Sequence, residues 1–506
     1  MTGDIECRQE AVMHKAKRDA WRDGAGVRLS DMVPEARFVA CSEIIVSRCC
    51  DDPALCGPGD VFIAREGVFG EAHAAVQVAL ANGVAAIIAE TVVPTGGLPL
   101  AIVPNADWAY ARLSHALAGD PARRLRVIAV TGTSGKTTTV WLTATVLAEG
   151  GLRVGVVSDL GCLDGSGMGV EKGGVEDAAA LAAWLGRLAD SGCTHAVVEV
   201  SSRMLAAHAL AGVECETVVV TNLADAHRDL HGSLEAYHGI KSRILDSLAD
   251  DGCLIVNADD ARLQRFVERS TAERPASGVI TVGLQAGDLT ATPIERSLFG
   301  QTFLMSAGSH TMPVAVAPPV ASFVRNALLA AAVGVRERVP LERIARGIEA
   351  AGSVSGRVER LDRGQDFAAF LDRPTSGHAL ASTLASLRRL TPGRLVLIAE
   401  EAIAEGLGGR GRFATRSARW CDECFLAPGD IAADDADADV VAAYARIDRV
   451  LARLGAGDCV LVLGDVLRSA SPSGDPECGG LGLVDVVDGW LQLAHPPRHP
   501  ARRRAA

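Results

Sequence analysis

Residues 125–139 read LRVIAVTGTSGKTTT, an apolar run that ends in a loop of glycines and hydroxyl side chains. The apolar run predicts a buried strand, and we expect a helix from Val140. In such a unit the loop amides and the helix N-terminus hold phosphate, Lys136 reaches the terminal phosphates, and the Thr137 hydroxyl ligates Mg²⁺. Val130 stands where the usual pattern has its first glycine, so the motif is a variant. The predicted nucleotide-binding loop comprises Gly132, Thr133, Ser134, Gly135, Lys136, Thr137 and Thr138.

The same alternation of apolar strands and helices continues on both sides of this loop. Near-continuous apolar strands separated by helices are typical of a parallel sheet covered on both faces, so the predicted fold class is α/β. A helix is expected at 71–82. Buried strands are expected at 61–64, 84–89, 125–130, 154–157, 196–200, 217–220, 254–257, 395–399 and 459–464.

The length of 506 residues suits about three domains. The alternation of strands and helices begins again near residues 36, 125 and 360, and these points set the expected boundaries. We predict an irregular extension at 1–35, an N-terminal domain at 36–122, a central domain at 123–355, a C-terminal domain at 356–495 and a basic tail at 496–506.

Composition narrows the class of protein. With 48% apolar residues, 22% charged residues and a net charge of −12, the chain reads as a globular protein and not as a general nucleic-acid binder. No apolar run approaches the roughly 20 residues of a membrane span, and no signal peptide is visible. The 13 scattered cysteines suit free thiols, and Cys421 and Cys424 lack the second pair that a zinc site needs. We therefore expect a cytoplasmic monomer that acts on small molecules, with no nucleic-acid or membrane partner.

Lysine is rare here, and Lys241 falls within a predicted helical stripe of apolar residues. A charged ammonium is costly in such a place unless it is paired or neutralised. Three accounts are open: the amine snorkels to solvent, pairs with a carboxylate, or reacts with CO₂ to form a carbamate that ligates a metal. His227 and Glu199 would supply further metal ligands. The predicted helix starts at the N-cap Ser233, and its apolar stripe comprises Leu234, Tyr237, Ile244 and Leu248.

These segments together resemble the Mur ligases. The resemblance rests on the 132–138 loop, on Glu199 with the serines after it, and on the 14-residue spacing from His227 to Lys241. Further matching landmarks are Thr221-Asn222-Leu223, Asn257-Ala258-Asp259-Asp260, Asn326, Gly356-Arg357-Val358-Glu359, Ser47-Arg48, the run 58–64, Gly67 and Glu71-Ala72-His73.

The resemblance implies a central P-loop NTPase-like parallel sheet, an N-terminal UDP-binding-type domain and a C-terminal Rossmann-like domain. It also implies an ATP- and Mg²⁺-dependent amide ligase, which forms an acyl phosphate on a carboxylate that an amine then attacks. Within the family, the resemblance is greatest to the ligase that adds an amino acid to UDP-N-acetylmuramoyl-dipeptide during peptidoglycan precursor synthesis.

The same resemblance implies a role for each matching residue. Thr137 and Glu199 would hold one Mg²⁺, and His227 with carbamylated Lys241 would hold a second. Asn326, Arg357 and Asp372 would contact the nucleotide. Ser47, Arg48, Ser201 and Ser202 would contact the carboxylate substrate.

The departures from the family pattern fall on substrate contacts. Residues 174–177 read Gly-Val-Glu-Asp in place of Thr-Thr-Pro, and Arg203 replaces a histidine. Ala209 stands where an arginine is expected, and Arg373 follows Asp372 where the family has tyrosine. Two other functions therefore stay open: a Mur-like ligase for a different carboxylate and amine, or a non-catalytic relative that binds nucleotide.

Overall fold

A computed structural model of the chain describes residues 26–65, 72–165, 174–224, 233–273, 278–428, 438–464 and 483–494. His227, Gly67, Glu71 and the basic tail lie outside these ranges. Within the ranges, no helix is both long and apolar enough to span a membrane. The strands of the described residues form three main sheets, and a two-stranded pair precedes the first of them.

The central sheet carries the phosphate loop and has ten strands in the order β10-β9-β11-β8-β12-β13-β14-β15-β16-β17. The seven strands from β9 to β15 in that order run parallel, whereas β10, β16 and β17 join antiparallel at the two edges. The strands are β8 (Arg126–Thr131), β9 (Val154–Ser158), β10 (Gly161–Leu163), β11 (His195–Glu199), β12 (Cys215–Val220), β13 (Leu248–Asn257), β14 (Gly278–Gly283), β15 (Leu289–Ser297), β16 (Gly300–Ala307) and β17 (His310–Val316).

Helices cover both faces of the central sheet, as the run of apolar strands predicts. Successive strand residues face opposite sides, so Val130 belongs to one apolar cluster and Ala129 to the other. The helices are α4 (Lys136–Glu149), α5 (Ala178–Asp190), α6 (Ser202–Ala206), α7 (Leu234–Ser242), α8 (Gln264–Glu273), α9 (Ala321–Arg336) and α10 (Leu341–Ala351).

The N-terminal unit contains a five-stranded sheet in the order β2-β7-β6-β5-β4. Its core continues into one face of the central sheet, since Tyr110 and Leu113 share a cluster with Ala129. The elements are β1 (Val27–Arg28), α1 (Leu29–Met32), β2 (Arg37–Val39), β3 (Ile45–Val46), β4 (Cys49–Cys50), β5 (Val61–Ile63), α2 (Ala72–Ala81), β6 (Ala86–Ala89), β7 (Leu100–Ile102) and α3 (Ala106–Leu117).

The C-terminal unit is a second mostly parallel sheet, in the order β18-β19-β22-β20-β21, with β18 antiparallel at its edge. Its apolar residues, such as Phe370, join the cluster that covers the opposite face of the central sheet. The elements are β18 (Glu359–Leu361), β19 (Ala368–Asp372), α11 (Gly377–Leu390), β20 (Leu395–Glu400), α12 (Glu401–Gly406), α13 (Arg410–Ser417), β21 (Glu423–Ala427), α14 (Ala438–Leu451), β22 (Cys459–Leu463) and α15 (Leu483–Ala494).

The predicted α/β class and all nine predicted strands are confirmed, but three local predictions are wrong. The chain before residue 36 is not irregular throughout, because β1 pairs with β3 and Leu29 is fully buried. The helix after the phosphate loop begins at Lys136 and not at Val140, because Gly135 already adopts the left-handed turn that starts it. The apolar stripe spans three elements and not one helix. Helix α7 ends at Ser242, Ile244 lies in a 3₁₀ turn (Arg243–Ser247), and Leu248 opens β13.

Candidate active site

The phosphate loop leaves the carboxyl end of β8, between β11 and β12, where ligands bind in open parallel sheets. Two of its glycines are required by space and by backbone angle. A Cβ on Gly132 (φ 144°) would lie 2.0 Å from Thr221 Oγ1, and one on Gly135 (φ 83°) would lie 2.6 Å from Asn326 Oδ1. The loop therefore curls against its neighbours without room for larger residues.

Thr221 and Asn222, at the end of β12, hold the loop in shape. The Thr221 hydroxyl and the Asn222 amide donate to the carbonyl of Ser134 over 2.7 and 2.9 Å. The backbone N–H groups of Thr133 and Ser134 donate to Asn222 over 3.0 and 3.1 Å. These two amides are thus already satisfied, and the N–H groups at the start of α4 remain to meet an anion.

A cluster of charged and hydroxyl groups lies directly beyond the loop. Glu199, at the end of β11, accepts a hydrogen bond from the Thr137 hydroxyl over 3.2 Å and lies 3.9 Å from Lys136 Nζ. The backbone N–H of Asp159 donates to the second Glu199 oxygen over 3.2 Å. Burial raises the pKa of Glu199, and the Asp159 carboxylate adds to the rise, whereas Lys136 and Arg357 oppose it.

Arg357 brings the C-terminal unit into this cluster. Its guanidinium donates to the Thr137 hydroxyl over 3.0 Å and also to the carbonyl of Arg373. The Thr137 hydroxyl consequently contacts one group from the central sheet and one from beyond it. The central sheet and the C-terminal unit therefore meet at the N-terminus of α4, where the phosphate of a nucleotide is expected.

Asp372 closes the same wall at the end of β19. Its carboxylate accepts from the backbone N–H groups of Val358 and Arg373 over 3.2 and 3.0 Å, and from the Thr383 hydroxyl over 3.3 Å. Burial raises the pKa of Asp372 to about 6, although Arg357 and these hydrogen bonds oppose the rise.

Lys241 is buried, with 1% of its surface exposed, and its Nζ donates to the Thr131 hydroxyl over 3.0 Å. The account in which the amine snorkels to solvent is therefore wrong. Burial lowers the pKa of Lys241 well below its usual value, and the positive charge of Lys136 lowers it further, whereas Glu199 opposes. Tyr237 packs beside it, with the ring centroid 5.9 Å from Nζ. A buried amine with a lowered pKa thus lies next to the phosphate loop.

The structure brings Lys136, Thr137, Asn326, Arg357 and Asp372 together around one cleft of about 260 Å³. Glu199 contacts this group, whereas Ser47 and Arg48 lie in the N-terminal unit and do not line the cleft. Arg48 is paired with Asp60 over 2.8 Å. His227 lies outside the described residues, which contain no group of three or more His, Cys, Asp or Glu side chains arranged for a metal.

Ser201 and Ser202 continue from Glu199 into α6. The Ser201 hydroxyl caps that helix by accepting from the Met204 N–H over 3.1 Å. Arg203, on the first turn, pairs with Glu176 over 3.1 Å. Ala209 is fully buried and takes no part in the cleft.

Sequence reasoning missed several groups of this site. Asp159 follows the end of β9, and His378 and Arg325 line the cleft from helices of two units. The position of Asp159 at the carboxyl end of a parallel strand was a usable signal. Nothing in the local sequence pointed to His378 or Arg325, because their place depends on how the C-terminal unit and α9 meet the loop.

Comparison with known proteins gives a consistent result. The family model for the Mur ligase middle domain matches residues 130–334. A UDP-N-acetylmuramyl-tripeptide synthetase of Roseiflexus sp. (strain RS-1) is 30% identical over 417 residues, which are 79% of this chain and 81% of that relative.

Solved structures share the fold. One titled UDP-N-acetylmuramoyl-L-alanyl-D-glutamate--2,6-diaminopimelate ligase superposes with a TM-score of 0.65 at 22% identity, covering 93% of this chain and 100% of that one. The MurF ligase of Thermotoga maritima in complex with ADP has a TM-score of 0.54 at 18% identity, covering 88% and 98%. At these identities, the superpositions speak for the fold alone.

Proposed function

This chain belongs to the Mur ligase family of ATP-dependent, carbon–nitrogen bond-forming enzymes, and we propose that it joins an amino acid to a UDP-N-acetylmuramoyl-dipeptide. That reaction is a step of peptidoglycan precursor synthesis. The observation that carries the proposal is the Thr137 hydroxyl, which lies within hydrogen-bonding distance of both Glu199 and Arg357 at the start of α4.

We infer that ATP binds along the 260 Å³ cleft, with its phosphates at the N-terminus of α4. Asn326 and Asp372 line the same cleft and would contact the rest of the nucleotide. The proposed domain arrangement follows: the central unit holds the phosphates, the C-terminal unit closes over the nucleotide, and the N-terminal unit holds the UDP-sugar through Ser47 and Arg48.

The donor set fits Mg²⁺. This ion takes oxygen ligands, and it is commonly held by one or two carboxylates together with phosphates and water. Glu199 would supply one such carboxylate, and the Thr137 hydroxyl, 3.2 Å from it, would supply a further oxygen ligand. When bound there, Mg²⁺ would offset the charge of the phosphates during transfer.

The reaction is a phosphoryl transfer followed by an acyl transfer. An oxygen of the substrate carboxylate bonds to the γ-phosphorus, and the bond from that phosphorus to the β–γ bridging oxygen breaks, which releases ADP. The amine nitrogen then bonds to the acyl carbon, inorganic phosphate leaves, and the nitrogen loses a proton to solvent. Lys136 and Arg357 stabilise the charge of the transferring group. Because the attacking oxygen belongs to the substrate carboxylate, no protein nucleophile is required.

We propose that Lys241 acts in this site as a carbamate. Its buried amine is held by Thr131, and its lowered pKa keeps the nitrogen lone pair free to bond to the carbon of CO₂ with loss of one proton. The product is an anionic oxygen ligand, which together with His227 would hold a second Mg²⁺. The carbamate would also place a negative charge near the positive charge of Lys136.

A different carboxylate and amine pair is the second candidate. Ala209 is buried where the family pattern has an arginine, and the exposed Arg203–Glu176 pair replaces other substrate residues of the pattern. These changes alter the substrate side and leave the nucleotide side intact.

One assay separates the two candidates. The full chain is incubated with ATP, Mg²⁺, bicarbonate and UDP-N-acetylmuramoyl-L-alanyl-D-glutamate, against a panel of amino acids that includes diaminopimelate. We expect ADP and phosphate to form only when the dipeptide and one amino acid are both present. Nucleotide binding without ADP formation for any member of the panel would contradict the muramoyl substrate, and it would fit either the second candidate or a non-catalytic relative that binds nucleotide.

A further inference from the structure

The loops beyond Glu199 carry an ion pair that nothing in the nucleotide site uses. Glu199 ends β11 and is bonded to the backbone of Asp159, which follows β9. Gly174, the first residue of the 174–177 segment, lies against Asp159, since a Cβ on Gly174 would lie 3.2 Å from the carboxylate oxygen of Asp159. Arg203 follows β11 on α6 and reaches Glu176 of this segment over 3.1 Å. The pair thus bridges the two loops that flank Glu199.

Both partners are presented by anchored backbone. Val175 is buried and Asp177 caps α5 by accepting from the Ala180 N–H over 3.0 Å, so Glu176 between them faces outward. In the same way, Ser201 caps α6 and Met204 is buried, which leaves Arg203 exposed on the first turn. The Arg203 side chain is 66% exposed and the Glu176 side chain is 44% exposed. Two charges are therefore held by anchored backbone on the loops that follow β9 and β11, and both remain accessible to a ligand.

We propose that Arg203 binds the carboxylate substrate and that Glu176 occupies its guanidinium until the substrate arrives. This inference rests on the proposed function, because it assigns the carboxylate that accepts the γ-phosphate or a second carboxylate of the same molecule. At the phosphate loop, Lys136 lies 3.9 Å from Glu199 and Arg357 donates to the Thr137 hydroxyl over 3.0 Å, so both cations are already engaged there. Arg203 presents an exposed guanidinium on the segment that follows Glu199 in the chain.

The energetics favour such an exchange. An exposed ion pair between side chains of this kind contributes little to stability, because water solvates both charges and ordering two long side chains costs entropy. Glu176 accepts one hydrogen bond from the guanidinium over 3.1 Å, whereas a substrate carboxylate can accept two from the planar donor set that arginine offers. Glu176 therefore acts as a weak internal competitor and does not lock the site.

The test measures KM for UDP-N-acetylmuramoyl-L-alanyl-D-glutamate by ADP release at saturating ATP. For Arg203→Ala we expect KM for this substrate to rise about 10- to 100-fold, as for loss of a hydrogen bond to a charged group. KM for ATP should stay unchanged, and Arg203→Lys should recover part of the loss. For Glu176→Gln we expect KM to fall about two- to fivefold, since only a weak competitor is removed.

The opposite signs distinguish this role from a structural one. A pair that only held the loops together would shift KM in the same direction in both variants. Arg124→Ala is the matched control, because the Arg124–Asp190 pair spans 2.9 Å with 45% and 52% exposure and lies away from Glu199. Thermal melting of each variant checks that the fold is retained.

Two negative results are possible, and each contradicts a different proposal. ADP release by the wild-type chain together with an unchanged KM in Arg203→Ala would overturn the role of Arg203 alone. No ADP release by the wild-type chain with any amine would overturn the muramoyl substrate, and with it this assignment.

Discussion

The two sides of the site are built differently. On the proposed nucleotide side, Thr137, Glu199 and Asp372 are all buried and are fixed by hydrogen bonds to backbone or to one another. On the proposed substrate side, Arg203 and Glu176 are exposed and form a surface ion pair with each other. The nucleotide side also follows the family pattern, whereas the substrate side departs from it.

Burial explains this difference. A buried polar group that loses its partner carries a large desolvation cost, so a change at one nucleotide contact disrupts its neighbours. An exposed ion pair can be replaced at little cost in stability. Substrate specificity is therefore free to change while phosphate chemistry is retained.

The largest expected effect is on the nucleotide side. Lys136→Ala should lower ADP formation by about 10³-fold, because it removes a preorganised charge from the transferring phosphoryl group. It should also abolish the rise in melting temperature that ATP causes. Lys136→Arg should not rescue activity, since the guanidinium is longer and planar. Wild-type stabilisation by ATP in Lys136→Ala would refute the phosphate-loop assignment.

Lys241 tests whether the buried amine is chemically modified. Lys241→Ala should lower ADP formation by about 100-fold or more, since losing even an outer partner of a metal site costs 10- to 100-fold. Acetate should restore part of the activity by placing a carboxylate in the vacated space. In the wild type, ¹³C-bicarbonate should give a carbamate signal in the NMR spectrum that is absent from the variant. Full activity in bicarbonate-free buffer would contradict the carbamate.

The pH dependence of the free energy of unfolding tests whether the buried Asp372 carboxyl titrates as its raised pKa predicts. Because burial raises its pKa to about 6, folding favours the protonated form, and this contribution to stability is present below about pH 4 and lost as pH rises through 6. Asp372→Asn stays neutral throughout. Relative to the wild type, the free energy of unfolding of the variant should gain about 3 kcal/mol between about pH 3 and about pH 7, measured without ligand. Parallel pH curves would show that the carboxyl does not titrate in this range.

Two glycine substitutions give the smallest effects and opposite signs. Gly135→Ala should weaken ATP binding about tenfold, because its φ is 83° and a Cβ would meet Asn326 at 2.6 Å. Gly186→Ala, within α5 and with no atom within 4 Å of the new Cβ, should stabilise the chain by about 0.5–1 kcal/mol. Calorimetry with ATP and thermal melting measure the two changes. Equal tolerance at both positions would mean that the loop is not tightly packed.

Local patterns predicted the fold well because they depend on short-range physics. Apolar runs become buried strands, and the spacing of the loop residues places Lys136 at a helix start. The errors arose where neighbouring elements intervene. Leu248 looks like a helical residue by spacing, yet it opens β13, which pairs with β12 and β14.

The sequence by itself determined the α/β class, the phosphate loop and the short list of ionisable residues that includes Lys241. Only the tertiary structure decided that Lys241 is buried against Thr131 and cannot reach solvent. It also placed Arg357 on Thr137 and Glu176 on Arg203, pairs that are separated by 220 and 27 residues along the chain. Such contacts depend on how sheets and loops pack, because periodicity reports which face of an element is buried but not which residue lies opposite it.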